Sequence, residues 1–137
     1  MRIPVAFVAD EANVSAEGKL NVLGIFDRMA ATQFPVQHPR MVFAFRVEAD
    51  AADGGRVFPV RVRLEDERGD TLFHADGDLS PPTVPAGEFS TANQVFALVG
   101  VQFPHAGLYR FVVEVGDAAT HETRFLVQLQ AASPGMN

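Results

Sequence analysis

Apolar and polar residues alternate along eight short segments of the chain. The pattern is clearest in MVFAFRVE, 41–48, and in FPVRVRLE, 58–65. A period of two residues is typical of strands that bury one face. Eight such runs separated by Gly, Pro, Asn and Asp predict an all-β fold, an antiparallel eight-stranded β-sandwich of the immunoglobulin-like type. The predicted strands are 3–9, 19–26, 40–49, 56–65, 71–76, 94–102, 108–115 and 120–128.

Gly, Pro and Asp mark the connections between these strands. The run 53–55, Asp-Gly-Gly, predicts a hairpin between the third and fourth strands. Residues 28–32 predict a short helical turn, and 77–93, with three prolines, a long loop. The segment 94–102 is apolar on both faces, which predicts a central strand or one whose outer face is covered.

Two further positions predict local geometry. Gly24 lies inside the second predicted strand, where a glycine usually marks a bulge or a bend. Tyr109 opens the seventh strand two residues after Gly107, which resembles the tyrosine corner of immunoglobulin-like sandwiches. We therefore expect its hydroxyl to bond back to the preceding loop.

Length and composition predict one self-sufficient domain. The chain has 137 residues, which favours a single β-sandwich domain over 1–130 and a flexible C-terminal tail over 131–137. It has no cysteine, and its formal net charge is −6 with 11 scattered Lys and Arg residues. This charge disfavours nucleic acid as a partner, and no apolar run approaches the length of a membrane span. We expect a cytoplasmic protein, because the short apolar run 3–9 is unlike a secretory signal.

No catalytic motif is found among the predicted strands. The four histidines have no metal-ligand spacing, no serine lies in a nucleophile elbow, and no glycine-rich loop precedes a helix. We therefore expect no enzyme and no cofactor. An enzyme would need an acid–base pair assembled by folding, and Asp66 with His105 is the candidate.

Acidic residues predict the alternative function, binding of a cation such as calcium, or of a small ligand. If consecutive strands alternate in direction, the loops at one end of the sandwich carry carboxylates and no Lys, Arg or His. The residues of this candidate metal site are Asp10, Asp50, Asp53, Asp76, Asp78 and Asp117. Calcium prefers clustered carboxylate oxygens, but the same charges would also serve solubility alone.

The opposite end predicts a protein-binding patch. Its candidate residues are Phe34, His38, Arg40, Phe103 and His105. Exposed aromatic rings with a polar rim are typical of protein interfaces, although both phenylalanines could instead plug the end of the core. An edge strand offers a second route to a protein partner or to self-association. On the solvent face, Arg61, Arg63 and Glu65 would hinder uncontrolled pairing.

The stretch GKLNVLGIFDR, 18–28, is distinctive. With FVAD at 7–10 and GLYRF at 107–111, it resembles an uncharacterised family of small bacterial domains of unknown function, for which an all-β sandwich is expected. The resemblance implies a bacterial, intracellular protein and no known activity or site residues. The function we expect is therefore a non-enzymatic β-sandwich module for protein recognition or self-assembly.

Overall fold

The alternating segments form nine β-strands in a computed structural model that describes residues 1–131. Beyond Ala131, the predicted tail lies outside the described residues. A single 3-10 turn, Ala51–Asp53, joins two of the strands. The strands are β1 Arg2–Val14, β2 Leu20–Ile25, β3 Arg28–Ala31, β4 Val36–Asp50, β5 Phe58–Asp66, β6 Thr71–Leu79, β7 Phe89–Phe103, β8 Gly107–Val115 and β9 Ala119–Leu129.

The strands pair into two sheets. Sheet A has the order β2-β1-β4-β7, and sheet B has the order β3-β9-β8-β5-β6. All pairs are antiparallel except β3 with β9, which is parallel. The edges are therefore β2 and β7 in sheet A and β3 and β6 in sheet B. Over residues 1–131, no helix has the length and apolar character needed to cross a bilayer.

The two sheets share one core built on phenylalanine, which gives the molecule a β-sandwich-like, all-β fold. Phe43 of β4 stacks on Phe111 of β8 with ring centroids 4.4 Å apart. Phe103 meets Tyr109 and Phe125 edge-on at 5.0 and 5.9 Å. Offset and edge-on ring contacts of this kind stabilise cores beyond the area that they bury. The period of two residues thus places Phe43 and Phe111 in the core.

Residues 1–131 form nine strands where the sequence predicts eight, because residues 28–32 are not helical. The chain leaves sheet A after β2 and enters sheet B as β3, where Arg28–Ala31 pairs with β9. The Leu126 N–H donates to the Asp27 carbonyl at 2.8 Å at the start of this pairing. A distant strand thus supplies the hydrogen bonds that a local helical turn would have supplied.

The predicted hairpin at 53–55 is also wrong. Strand β4 belongs to sheet A and β5 to sheet B, so the connection crosses between the sheets. The Asp50 side chain accepts the Ala52 N–H at 3.0 Å, and the Asp53 side chain accepts the Asp50 N–H at 3.1 Å. These capping bonds favour a 3-10 turn over a two-residue hairpin.

Strand β7 differs most from its prediction. It begins at Phe89 rather than at 94, and it lies at the edge of sheet A rather than at its centre. Its first residues pair with the far end of β4, as far as Phe89 with Asp50. These residues carry little apolar alternation, so the sequence pattern did not reveal their pairing.

The β1–β2 hairpin folds over the outer face of sheet A. The Asn93 side chain on β7 donates to the Gly18 carbonyl in the hairpin turn at 2.9 Å, although β7 lies two strands from β1. Beneath the hairpin, Val42 and Ala44 of β4 are fully buried, and Val95 of β7 packs with them. The expectation of a covered outer face on the sixth predicted strand therefore holds at Val95.

Glycines bend both edges of sheet A. Gly24 has a φ of +72°, and a side chain there would collide with the Asp10 carboxylate, which confirms the predicted bend. Gly100 on β7 has a φ of +70° and lies between the paired residues Val101–His38 and Val99–Arg40. The regular part of β7 therefore runs from 89 to 99.

Candidate functional site

The most open element of the molecule is the free edge of β7. The strand is 15 residues long and pairs with β4 along its length. Across residues 1–131, no backbone group of β7 bonds to any other strand, turn or loop backbone; the Gln37 side chain reaches the Gly100 carbonyl at 3.3 Å. Alternate N–H and C=O groups of an edge strand point away from its partner, so β7 presents an unpaired ladder.

Over 89–99, before the bend at Gly100, the sequence of β7 has few features that discourage pairing. The stretch FSTANQVFALVGVQF contains no charged residue and no proline, the two usual obstacles on natural edges. Phe89 and Val99 are 63% and 74% exposed, and Thr91 and Ala97 are exposed between them. The edge β2 is also uncharged, but it has only six residues and bends at Gly24. Strand β7 is therefore the better template for an added strand.

A network of ion pairs occupies the centre of the outer face of sheet B. Glu65 is buried and contacts Arg63 at 3.0 Å and Arg110 at 2.6 Å. These arginines also reach Glu114 at 2.6 Å and Glu122 at 2.9 Å. Burial opposes ionisation of Glu65, but the two arginines outweigh it and lower its pKa. The charges at the centre of this face are therefore satisfied within the chain, which disfavours that region as a docking surface.

Among the predicted solvent-face residues, Arg61 is exposed and Arg63 is half-buried. The prediction is wrong for Glu65, which lies under the arginine side chains rather than in solvent.

Asp66 and His105 are brought together as the sequence analysis required for an acid–base pair. His105 Nε2 lies 3.3 Å from Asp66 Oδ2, and His105 Nδ1 lies 3.0 Å from the Ala106 carbonyl. Both ring nitrogens donate when the ring is protonated. The bond to Ala106 and that to Asp66 therefore raise the pKa of His105.

The geometry around Asp66 is that of a loop anchor. Burial opposes ionisation of Asp66, but the backbone N–H groups of Asp70 and Arg68 and the ring of His105 lower its pKa. The Tyr109 hydroxyl donates to the His105 carbonyl at 2.6 Å, which confirms the predicted bond to the preceding loop. Neither Asp66 nor His105 lines the cavity of about 340 Å³ beside β3. Their contacts therefore fix the turn after β5 and the loop before β8.

The two phenylalanines of the predicted aromatic patch do not form an exposed surface. Phe103 is fully buried, because β7 turns its end into the core against Tyr109 and Phe125. Phe34 is half-buried against the same core. The predicted exposure of Phe103 is therefore wrong. Its ring closes the end of the core, which was the alternative interpretation.

The other patch residues already have neighbours within the chain. Arg40 is exposed and forms a two-bond pair with Glu11 at 3.0 and 3.1 Å. His38 is half-buried 6.4 Å from the Phe26 ring. His105 is occupied by Asp66 and Ala106.

The six predicted metal ligands do not converge. Asp10 follows the Ala9–Val42 pair, and Asp50 lies at the far end of β4, roughly 26 Å from Val42 along an extended strand. Asp53 lies 3.3 Å from the Met1 amino group and accepts the Asp50 N–H. The described chain contains no group of three or more His, Cys, Asp or Glu side chains that could hold a metal ion. The remaining residues of the set are Asp76 and Asp78 on β6 and Asp117 in the β8–β9 turn.

A cavity of about 340 Å³ opens beside β3. Its apolar lining includes Phe26, Met29 and Val127, and its polar side chains are Asp10, Arg28 and His38. The Arg28 guanidinium donates to Asp27 at 3.3 Å. The sequence predicts Asp10 and His38 at opposite ends of the sandwich, whereas both line this cavity.

Three solved glycosidases contain a region that is similar in structure to this chain. A β-glucuronidase from Bifidobacterium dentium matches with a TM-score of 0.45 and 13% identity over 92% of this chain and 17% of its own. A β-glucosidase from Listeria innocua matches with a TM-score of 0.45 and 11% identity over 93% of this chain and 16% of its own. A β-glucosidase from Erythrobacter marinus matches with a TM-score of 0.46 and 11% identity over 90% of this chain and 15% of its own. The chain thus spans about a sixth of each enzyme.

Comparison with protein families is more informative. No curated protein matches the chain. The model of a family of unknown function, DUF6941, matches residues 4–128, which includes every strand from β2 to β8 and most of β1 and β9. The chain therefore belongs to the family of unknown function DUF6941.

Proposed function

We propose that the protein is a non-enzymatic recognition module that binds an extended segment of a protein partner along the free edge of β7. The observation that carries the proposal is a 15-residue edge strand without charge or proline. Strand addition satisfies the unpaired backbone groups of such an edge, and side chains beside them give selectivity. Thr91 and Ala97 would lie next to the added strand.

Two finer assignments belong to this proposal. The tyrosine-to-loop bond at Tyr109 supports an immunoglobulin-like type of sandwich. The absence of cysteine supports a reducing compartment, and we place the module in the bacterial cytoplasm.

The proposal is tested with a displayed library of nine-residue peptides selected against the protein. The variant T91K/A97K adds two charges to the exposed edge of β7 and leaves the core untouched. The matched control T120K/Q128K adds the same charge to exposed positions of β9, which belongs to the opposite sheet.

Selected peptides are expected to protect β7 amides from hydrogen exchange. They should lose at least about tenfold in affinity for T91K/A97K and bind T120K/Q128K as they bind the natural protein. No selected binder, equal binding to both variants, or protection confined to other strands would refute the proposal.

A further inference from the structure

The cavity beside β3 lies between the two sheets, away from the free edge of β7. Sheet A contributes Asp10 of β1 and Val36 and His38 of β4 to its walls, and sheet B contributes β3 and Val127 of β9. Its volume of about 340 Å³ is at the lower end of the range typical of small-molecule sites. The cavity is therefore large enough for a small organic molecule.

The link between β2 and β3 forms one side of this cavity and is held at both ends. The Phe26 N–H donates to the Val8 carbonyl at 2.9 Å. The Leu126 N–H donates to the Asp27 carbonyl at 2.8 Å. The Phe26 ring lies edge-on to Phe125, with the ring centroids 6.5 Å apart. This aromatic wall is therefore fixed before any ligand binds, which lowers the entropic cost of binding.

A change of face in β4 brings His38 into the cavity. Met41 faces the core, so a regular strand would place His38 on the outer face of sheet A. Val36 nevertheless packs against the core, and the His38 ring lies 6.4 Å from the Phe26 ring. The strand therefore exchanges its faces at Pro39, which cannot donate to the ladder. The His38 ring thus becomes part of the cavity wall.

Asp10 gives the cavity a negative charge that its other groups do not cancel. Its carboxylate lies against Gly24, where a larger residue would collide with it. Within residues 1–131, the Asp10 side chain forms no hydrogen bond or ion pair. Arg28, the other charged residue of the lining, contacts Asp27 at 3.3 Å. These three charged groups together leave a net negative charge at the mouth of an otherwise largely apolar cavity.

From these features we infer that the cavity binds a small molecule with an apolar body and a protonated amine at one end. The ammonium group would pair with Asp10, and the apolar body would lie among Phe26, Met29 and Val127. A carboxylic acid of the same shape fits less well, because Asp10 would repel it and Arg28 is already bound within the chain. The inference is independent of the proposed function, since the lining contains no residue of β7.

Three ligands with the same phenyl body test this inference. Phenethylamine carries the amine alone, 3-phenylpropanoate the carboxylate alone, and phenylalanine both groups. Each is titrated into the protein in low salt at about pH 8, where phenethylamine is protonated. Chemical shifts of the backbone amides give the affinity and show whether the ligand lies beside β3.

Three variants separate the charge from the apolar body. D10N removes the negative charge from the cavity, and the matched control D117N removes the same charge from the β8–β9 turn, outside the lining. Ala31→Leu fills part of the cavity and keeps Asp10. Because Asp10 is exposed, D10N tests the inference even if Ala31→Leu impairs folding.

Phenethylamine is expected to bind at least about tenfold more tightly than 3-phenylpropanoate, with shifts in β3 and around His38. D10N should weaken its binding by about threefold to fivefold, the range of a partly exposed ion pair, and D117N should leave it unchanged. Ala31→Leu should weaken binding of all three ligands.

No binding of phenethylamine, shifts confined to other parts of the molecule, or equal affinity for the amine and the acid would overturn the inference. Equal losses in D10N and D117N would also overturn it, because they would show a response to net charge alone. Tighter binding of phenylalanine than of phenethylamine would replace the amine by a zwitterionic ligand.

Discussion

Strands β6 and β7 are edges on the same side of the sandwich, yet they are built in opposite ways. Strand β6 has nine residues, among them His74, Asp76, Gly77 and Asp78, and its pairing with β5 shifts register at Leu64. Strand β7 has 15 residues and no charge. Charges, glycines and irregular pairing are common ways of preventing an edge from pairing. Strand β6 uses all three, whereas β7 has only the bend at Gly100 and is regular and uncharged over 89–99, so the open part of β7 is that segment.

The same contrast exists between the faces of β7. Leu98 is 3% exposed in the core, whereas Val99 beside it is 74% exposed. The inward residues therefore stabilise the sandwich, and the outward ones are free to serve another purpose. Substitutions on the two faces can separate these roles.

The substitution L98A is expected to have the largest effect. Truncating a buried leucine loses its transfer free energy and leaves a cavity, which costs about 2–5 kcal/mol. Ala97→Lys on the neighbouring exposed position should change the free energy of unfolding by only about 0.5 kcal/mol or less. Urea unfolding of both variants measures the difference; similar losses would show that the exposed edge is itself structural.

Tyr109→Phe is expected to reduce the free energy of unfolding less than L98A does. It tests the hydrogen bond that anchors the loop between β7 and β8. The substitution removes the hydroxyl that donates to the His105 carbonyl, which should cost about 1–2 kcal/mol. Peptide binding at β7 should remain within about twofold, because the bond lies after the end of the strand. Loss of peptide binding without loss of stability would contradict the separation of the two roles.

The pH dependence of the stability of His105→Gln tests whether His105 and Asp66 form an ion pair beyond the end of β7. The pKa of His105 is raised, so its contribution is fully present below its usual value near 6.5 and is lost as pH rises through the higher folded-state value. The pKa of Asp66 is lowered, so its contribution is present above about 3.8 and is lost as pH falls through the lower folded-state value. The variant should therefore lose more stability at pH 5.5 than at pH 8.5. An equal loss at both pH values in urea unfolding would refute the ion pair.

The smallest change in stability is expected for D76T/D78T, which removes the charges from β6. Both residues are exposed, so the free energy of unfolding should change by about 0.5 kcal/mol or less. The β6 edge should nevertheless become prone to association, which light scattering at increasing concentration detects. A variant as monodisperse as the natural protein would show that these aspartates do not protect the edge.

The strand pattern of the sequence predicts the core but not the arrangement of the edges. The Phe43 and Phe111 positions follow from the two-residue period, because burial imposes that period within one strand. The edge position of β7 depends on which strands pair, and pairing is set by contacts distant in sequence. The apolar residues on both faces of 94–102 favoured a central strand, whereas Val95 is covered by the β1–β2 hairpin and Val99 is left exposed.

The candidate sites were predicted from residue types, and the structure separates them by their contacts. The bond from Tyr109 was predictable because the motif is local. The meeting of Asp66 with His105 was only one of many pairings that the sequence allowed.

The most direct test is residue-resolved amide hydrogen exchange of β7 in the free protein and with a selected nine-residue peptide bound. In the free protein, amides of 89–99 that bond to β4 should exchange slowly, and the alternate, outward amides should exchange rapidly. The peptide should slow the outward set alone. Outward amides that are already slow in the free monomer, or that stay fast when the peptide is bound, would contradict an open edge that accepts a strand.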